Sequence, residues 1–245
     1  MGVSSGPRFP GIANDGLVFA IDPLNKESWA GPDSNIVNNI PPLSSTISGS
    51  IYNDTSGSLG ISGSFVFDGV DSYIGGTNTT YLNDVSQMSL SIWFNLDAAA
   101  QNKGLIGDFA AISLAATNGH FVLVTKSASG DNYSFRLYLI RSDAVEASIN
   151  ISDRPFTAGQ WHNMVMTYNA GTVKFYVDGT LVSSAIYDAA NGIPTTLGST
   201  AKPLDIGRYV SLEWDGNIGP VLIYTRALTA LEASQNYNQL KPRFT

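Results

Sequence analysis

A succession of short segments in which inward-type and outward-type residues alternate, each bounded by Gly, Asn or Asp, most constrains what this chain can fold into. Side chains on a strand point alternately to opposite faces, so each such segment predicts a strand with one buried face. Leu90, Ile92, Phe94 and Leu96 share one face of residues 89–96, and Trp93 lies on the other among Ser91 and Asn95. Tyr133, Phe135, Leu137 and Leu139 alternate with Ser134, Arg136 and Tyr138. Phe65 and Phe67 form a half-buried strand that ends at the Asp68-Gly69 turn, and residues 16–22 read as the first strand. Residues 163–168, the Asn169-Ala170-Gly171 turn, residues 173–177 and the Asp178-Gly179 turn into Leu181-Val182 spell a meander. Asn118-Gly119, between residues 112–114 and 121–124, predicts a hairpin, because a type I′ turn needs positive φ at both central residues.

One helix is expected near the C-terminus. Thr229-Ala230-Leu231-Glu232 is a capping box, Leu228, Leu231, Tyr237 and Leu240 are its packing residues, and Pro242 stops it. The reading is therefore all-β, with residues 1–15 as an N-terminal arm, either a disordered end or a strand or hook that orders against a neighbouring subunit on assembly, and residues 16–245 as one sandwich domain. A length of 245 residues is compatible with a single β-sandwich.

Composition narrows the partners. Charged residues make up only 13% of the chain and the net charge is −7, with 13 Lys and Arg scattered along it. No basic stripe is available to neutralise phosphates, so neither nucleic acid nor an anionic membrane is an expected partner. The chain has no Cys, which excludes disulfides and thiolate metal sites. The first six residues have no cationic stretch and no apolar core, so no signal peptide is expected. Sequons begin at Asn53, Asn78, Asn132 and Asn150 and read as chance in a chain this rich in Asn, Ser and Thr.

The chemistry of catalysis is sparse. Of the two His, His162 follows Trp161 at a strand start and His120 follows a hairpin turn, both structural positions. No cofactor is expected. Calcium is the one metal to weigh, through Asp68, Asp71, Asp205 and Asp215, but Asp-Gly recurs at 68–69, 178–179 and 215–216, which favours turn roles. For sugar binding, Arg208, Tyr209 and Trp214 combine aromatic faces with a hydrogen-bonding cation near a turn, and Trp214 as packing beneath the C-terminal segment is the competing reading.

Several segments together resemble a known family. Gly63-Ser64-Phe65-Val66-Phe67-Asp68-Gly69-Val70-Asp71-Ser72-Tyr73-Ile74, Ser89-Leu90-Ser91-Ile92-Trp93-Phe94, the Gly159-Gln160-Trp161-His162 to Thr167-Tyr168 strand, and Val173-Lys174-Phe175-Tyr176-Val177-Asp178-Gly179 look like successive signatures of laminin-G-like, concanavalin A-like lectin/glucanase domains. Leu204-Asp205-Ile206-Gly207-Arg208 and Gly216-Asn217-Ile218-Gly219 complete the order, so that the resemblance covers residues 16–227. It implies a jelly-roll sandwich of two antiparallel sheets with one short C-terminal helix. Relatives bind sugars, proteins or calcium on a concave face and its rim loops.

Glucanases of the superfamily carry Glu-X-Asp-X-X-Glu on one strand. The closest match here is Glu213-Trp214-Asp215-Gly216-Asn217-Ile218, with Ile218 in place of the second Glu, so hydrolysis is the distant third reading and no catalytic residue is assigned. The tail, from Ile223 through Glu232 to Phe244, and the start, Asp15 to Asp22, resemble domains in structural proteins of tailed phages, notably those of cyanobacterial hosts. That resemblance implies a non-catalytic virion component (capsid decoration, fibre or tail-associated), assembled in the bacterial host cytoplasm and docking on other virion proteins or on copies of itself. A glycan-binding adhesin for host attachment is the alternative.

Overall fold

The computed structural model describes residues 11–25, 28–29, 36–38, 44–48, 52–54, 63–108, 119–140, 146–182, 193–200 and 202–245. The expected strand at 112–114, its turn residue Asn118 and the first ten residues of the arm lie outside the described residues.

Among the described residues the first half of the chain gives β1 (Leu17–Ile21), β2 (Ile36–Asn38), β3 (Ser44–Ser48), β4 (Tyr52–Asp54), β5 (Ser64–Asp68), β6 (Tyr73–Asn78), β7 (Gln87–Leu96) and β8 (Gly104–Gly107). The middle gives β9 (Phe121–Ser129), β10 (Asn132–Ile140), β11 (Glu146–Thr157), β12 (His162–Asn169), β13 (Thr172–Val177) and β14 (Thr180–Leu181). The last stretch gives β15 (Pro203–Ile206), β16 (Arg208–Tyr209), β17 (Leu212–Glu213), β18 (Asp215–Tyr224) and the helix α1 (Ala230–Leu240).

These strands form the two antiparallel sheets of a jelly-roll sandwich. The first sheet runs β14-β13-β12-β7-β18-β5-β4, with β1 pairing the second half of β18 beyond β5. The second runs β11-β10-β9-β8-β15-β6-β3-β2, and β16 and β17 form a separate two-stranded ribbon. Alternation delivers the core as expected. Leu90, Ile92, Phe94 and Leu96 from β7 meet Tyr133, Phe135, Leu137 and Leu139 from β10, all buried in one continuous cluster. The turns follow the same logic. Ala170 and Gly171 (φ 43° and 92°) and Asp178 and Gly179 (φ 51° and 76°) are two-residue loops in the positive-φ geometry that matches strand twist.

The strand β11 was not foreseen. Its alternation runs cleanly through Ala147, Ile149 and Ile151, then breaks where four residues, 152–155, are accommodated opposite Ser134 alone. It is the terminal strand of its sheet, where Pro155 and such an irregularity are tolerated.

The outer face of the first sheet is covered by the chain itself. Trp93 stacks on Tyr237 (5.5 Å, 8°) and on Phe244 (4.6 Å, 23°), and Arg243 clasps Asp22 through two 2.7 Å hydrogen bonds. The helix starts as its capping box predicts. The Glu232 N–H donates to Thr229 Oγ1 (3.2 Å) and the Thr229 N–H to Glu232 Oε2 (2.9 Å). One packing residue is corrected: Leu231 is 77% exposed, and Ala233, Asn236 and Leu240 face inward instead. These three share one face at i, i+3 and i+7, and Leu231 falls off it.

The arm boundary is corrected too. Ile12 and Ala13 are buried against Leu222, Tyr224 and Ala233, and the Ala13 N–H donates to Asn236 Oδ1 (2.9 Å). Residues 11–15 thus belong to the folded body. Among the described residues no helix is long and apolar enough to cross a membrane.

Candidate functional site

The outer face of the second sheet carries a cluster of polar and aromatic side chains. On β10 the register that sends Phe135 and Leu137 inward turns Arg136 and Tyr138 outward. Arg136 pairs with Asn150 of β11 on one side and Val124 of β9 on the other. Its Nε donates to Asn150 Oδ1 (2.9 Å), its Nη1 donates to the Tyr138 hydroxyl (2.9 Å), and its Cζ lies 5.6 Å from the Tyr138 ring centroid. Ser148, opposite Tyr138, and Asn150 are exposed, while Arg136 and Tyr138 are half-buried. A planar cation, a tyrosine and an amide are thus held in fixed relation on rigid strands.

The β16–β17 ribbon borders this patch. Tyr209 and Leu212 pack with Val122, Val124 and Tyr138 in an apolar cluster on the outside of the sheet. The ribbon approaches β8 closely because residue 104 is glycine: a Cβ there would overlap the Tyr209 backbone nitrogen. Arg208 braces the ribbon's other side. Its guanidinium lies 3.3 Å from the Tyr73 ring centroid and donates to Asp205 Oδ2 from Nε (3.1 Å) and Nη2 (2.7 Å). Burial pushes the Asp205 carboxyl above the usual carboxylate range, and the Arg208 hydrogen bond and charge pull it back without cancelling the rise.

The three residues expected to bind sugar therefore separate. Arg208 and Tyr209 reach the same outer face, where Arg208 is committed to Asp205 and Tyr73, and Tyr209 is only 9% exposed. Trp214 does not belong to the site. It is fully buried between the sheets, edge-on to Phe94 (6.0 Å) and stacked on Phe135 (6.3 Å), and its Nε1–H donates to Asn95 O (3.2 Å). Nor does it lie beneath the C-terminal segment, whose covering aromatics pack on Trp93 and Trp161. Sequence reasoning missed Arg136, Tyr138 and Asn150. The signal was present in the β10 alternation, where an arginine and a tyrosine stand on the outward register.

The other candidates resolve into structural roles. Asp68 Oδ1 accepts from the N–H groups of Val70 (2.9 Å), Asp71 (3.2 Å) and Ser72 (3.3 Å) and from the Ser72 hydroxyl (2.5 Å). Burial acts against its charge, but these bonds outweigh burial and lower its pKa to about 2. Asp97 sits beside Asp215; burial raises its carboxyl and the Asp215 charge adds to the rise. Among the described residues no group of three or more His, Asp or Glu converges as a metal site.

His162 Nδ1 lies 3.2 Å from Asp178 Oδ2, and its Nε2 accepts from the Thr157 N–H (3.3 Å), so the ring is locked to backbone and turn. His120 is fully buried, with Nδ1 2.6 Å from Asp108 Oδ2 and Nε2 2.9 Å from Asn83 Oδ1. The nearby Thr79 hydroxyl donates to Asp108 (2.7 Å) and not to the ring. Ile218, where a second catalytic Glu would stand, is buried in the core between the sheets.

The comparisons agree with this fold. The Laminin_G_3 family model, described as concanavalin A-like lectin/glucanases superfamily, matches residues 68–234. The chain belongs to that superfamily. Among solved structures it is similar to domain 4 of AbnA, a GH43 extracellular arabinanase from Geobacillus stearothermophilus, in complex with arabinotriose; the TM-score is 0.57 at 16% identity, over 89% of this chain and 96% of that one. It is also similar to the binding domain of Paraclostridial Mosquitocidal Protein 1 (TM-score 0.62, 14% identity, 91% of this chain and 52% of that one). The botulinum neurotoxin serotype G binding domain matches with a TM-score of 0.59 at 14% identity, over 90% of this chain and 50% of that one. The chain spans about half the length of these toxin domains. No curated protein matches the sequence.

Proposed function

We propose that this chain is a non-catalytic recognition module that binds a saccharide on the outer face of the β9–β10–β11 half of the second sheet. The observation that carries the reading is the Arg136–Tyr138–Asn150 arrangement, a half-buried aromatic flanked by fixed donors and acceptors on rigid strands. Sugars are held by such sets, because the ring carbons pack on an aromatic while the hydroxyls exchange hydrogen bonds with planar polar groups. Solved domains of this fold include one in complex with arabinotriose and a botulinum neurotoxin DC binding domain in complex with SialylT, which supports the same class of ligand here.

The setting we propose is a tailed-phage particle, where the module attaches the virion to host-surface glycans. The resemblance of residues 15–22 and 223–244 to phage structural proteins supports it. Imaging of intact particles with a probe against this chain tests the setting; a particle that lacks the chain rejects it.

The binding reading is tested on a glycan array followed by calorimetric titration of the best saccharide. Tyr138→Ala is expected to weaken binding by about ten-fold, the scale of ~1.4 kcal/mol for a lost packing and hydrogen-bonding contact, with an unchanged circular-dichroism spectrum. Unchanged affinity in Tyr138→Ala contradicts the assignment of the face.

A further inference from the structure

Four arginines have described side chains, and three of them are closed by carboxylates. Arg208 pairs with Asp205 (2.7 Å), Arg226 with Glu232 (2.5 Å) and Asp15 (3.0 Å), and Arg243 with Asp22 (2.7 Å). The fourth, Arg136, has no carboxylate partner among the described residues. Its neighbours are neutral, the Asn150 amide oxygen and the Tyr138 hydroxyl, and they take one hydrogen each from Nε and Nη1. Guanidinium carries five N–H donors, so the outer edge with Nη2 keeps its capacity for a planar acceptor. The cation is also held still, since both contacts fix the plane of the fork before any ligand arrives. Among the described arginines, Arg136 is thus the one positioned on a sheet face without a carboxylate partner.

We infer that the saccharide bound at this face carries a carboxylate, which the free edge of Arg136 receives in a two-point hydrogen-bonded pair. The inference rests on the proposed binding face and specifies its ligand: an acidic sugar, uronate or sialate, in place of a neutral one. The geometry suits it because the guanidinium lies over the half-buried Tyr138 ring, which holds the fork in place for the charged substituent. Preorganisation by Asn150 lowers the ordering cost of the contact.

The test titrates the full chain with two matched pairs of ligands: oligogalacturonate against its methyl ester, and sialyllactose against lactose. The inference predicts that one acid form binds about ten-fold or more tighter than its neutral partner, and the pair that shows this distinguishes uronate from sialate. The preference should shrink as ionic strength rises, because the cation is partly exposed to screening. Arg136→Gln, a surface change that leaves the core untouched, should abolish the preference and leave the residual affinity equal for acid and neutral forms. Equal binding of acid and neutral forms by the unaltered chain overturns the acidic-sugar inference while the binding face stands. A preference that survives Arg136→Gln overturns it too. Absence of binding by every saccharide removes both readings.

Discussion

Trp214 shows how a single ring can fix the spacing of two sheets. It leaves the β16–β17 ribbon just before β18 begins and drops between Phe94 and Phe135 with its indole N–H satisfied by Asn95 O. Removing it leaves a cavity that close-packed neighbours cannot fill. Trp214→Ala is therefore expected to lower stability by about 3–5 kcal/mol, read as a shifted denaturation midpoint. A mutant of unchanged stability would place the ring outside the core. The sequence around it, Leu212-Glu213-Trp214-Asp215, spans a ribbon and a strand start, too short a run for alternation to assign a face. The outward direction of Arg136 and Tyr138, though not a role for them, was legible for the opposite reason, since β10 is long enough for its inward residues to define its outward ones.

At the scale of elements, turn chemistry and capping transferred most directly from sequence to structure. Asp178-Gly179 and Thr229…Glu232 are local devices, and what they need lies within four residues of chain. The helix α1 adds an acid-sensitive link. The Arg226 guanidinium hydrogen bond, against burial and with help from Thr229, lowers the Glu232 pKa from 4.5 to about 2. A carboxylate depressed in the folded state contributes stability that is fully present above about pH 4.5 and lost as the pH falls toward about 2. Asp68, lowered from 3.8 to about 2 by its turn, acts in the same direction. Glu232→Gln should therefore flatten the loss of melting temperature across that window, and an unchanged acid slope would show that the Arg226 pair contributes nothing. The packing face of α1 was less legible than its cap, because Leu231 looks apolar but its direction depends on where the sheet lies. The strand β11 escaped because Pro155 and its irregular register interrupt an otherwise clean alternation.

For the whole molecule, the order of strands was beyond any local pattern. The neighbours of β7 are β12 and β18, and β18 in turn holds β5 and β1 end to end on its other side. Such pairings are set by how two sheets close a common core, and the family resemblance supplied in advance only the two-sheet jelly roll, not its strand order. The same global arrangement distinguishes the two outer faces. One is sealed by Trp93, Tyr237, Phe244 and the residues around Ile12. The other presents Arg136, Tyr138 and Asn150 beside the β16–β17 ribbon. Recognition on the second face is the central claim, and amide hydrogen exchange of the full chain with and without saturating saccharide tests it most directly. The account predicts added protection at residues 134–138 and 148–150 and along the ribbon at 208–213. Protection confined to α1 or to the Asp68–Ser72 turn would contradict it.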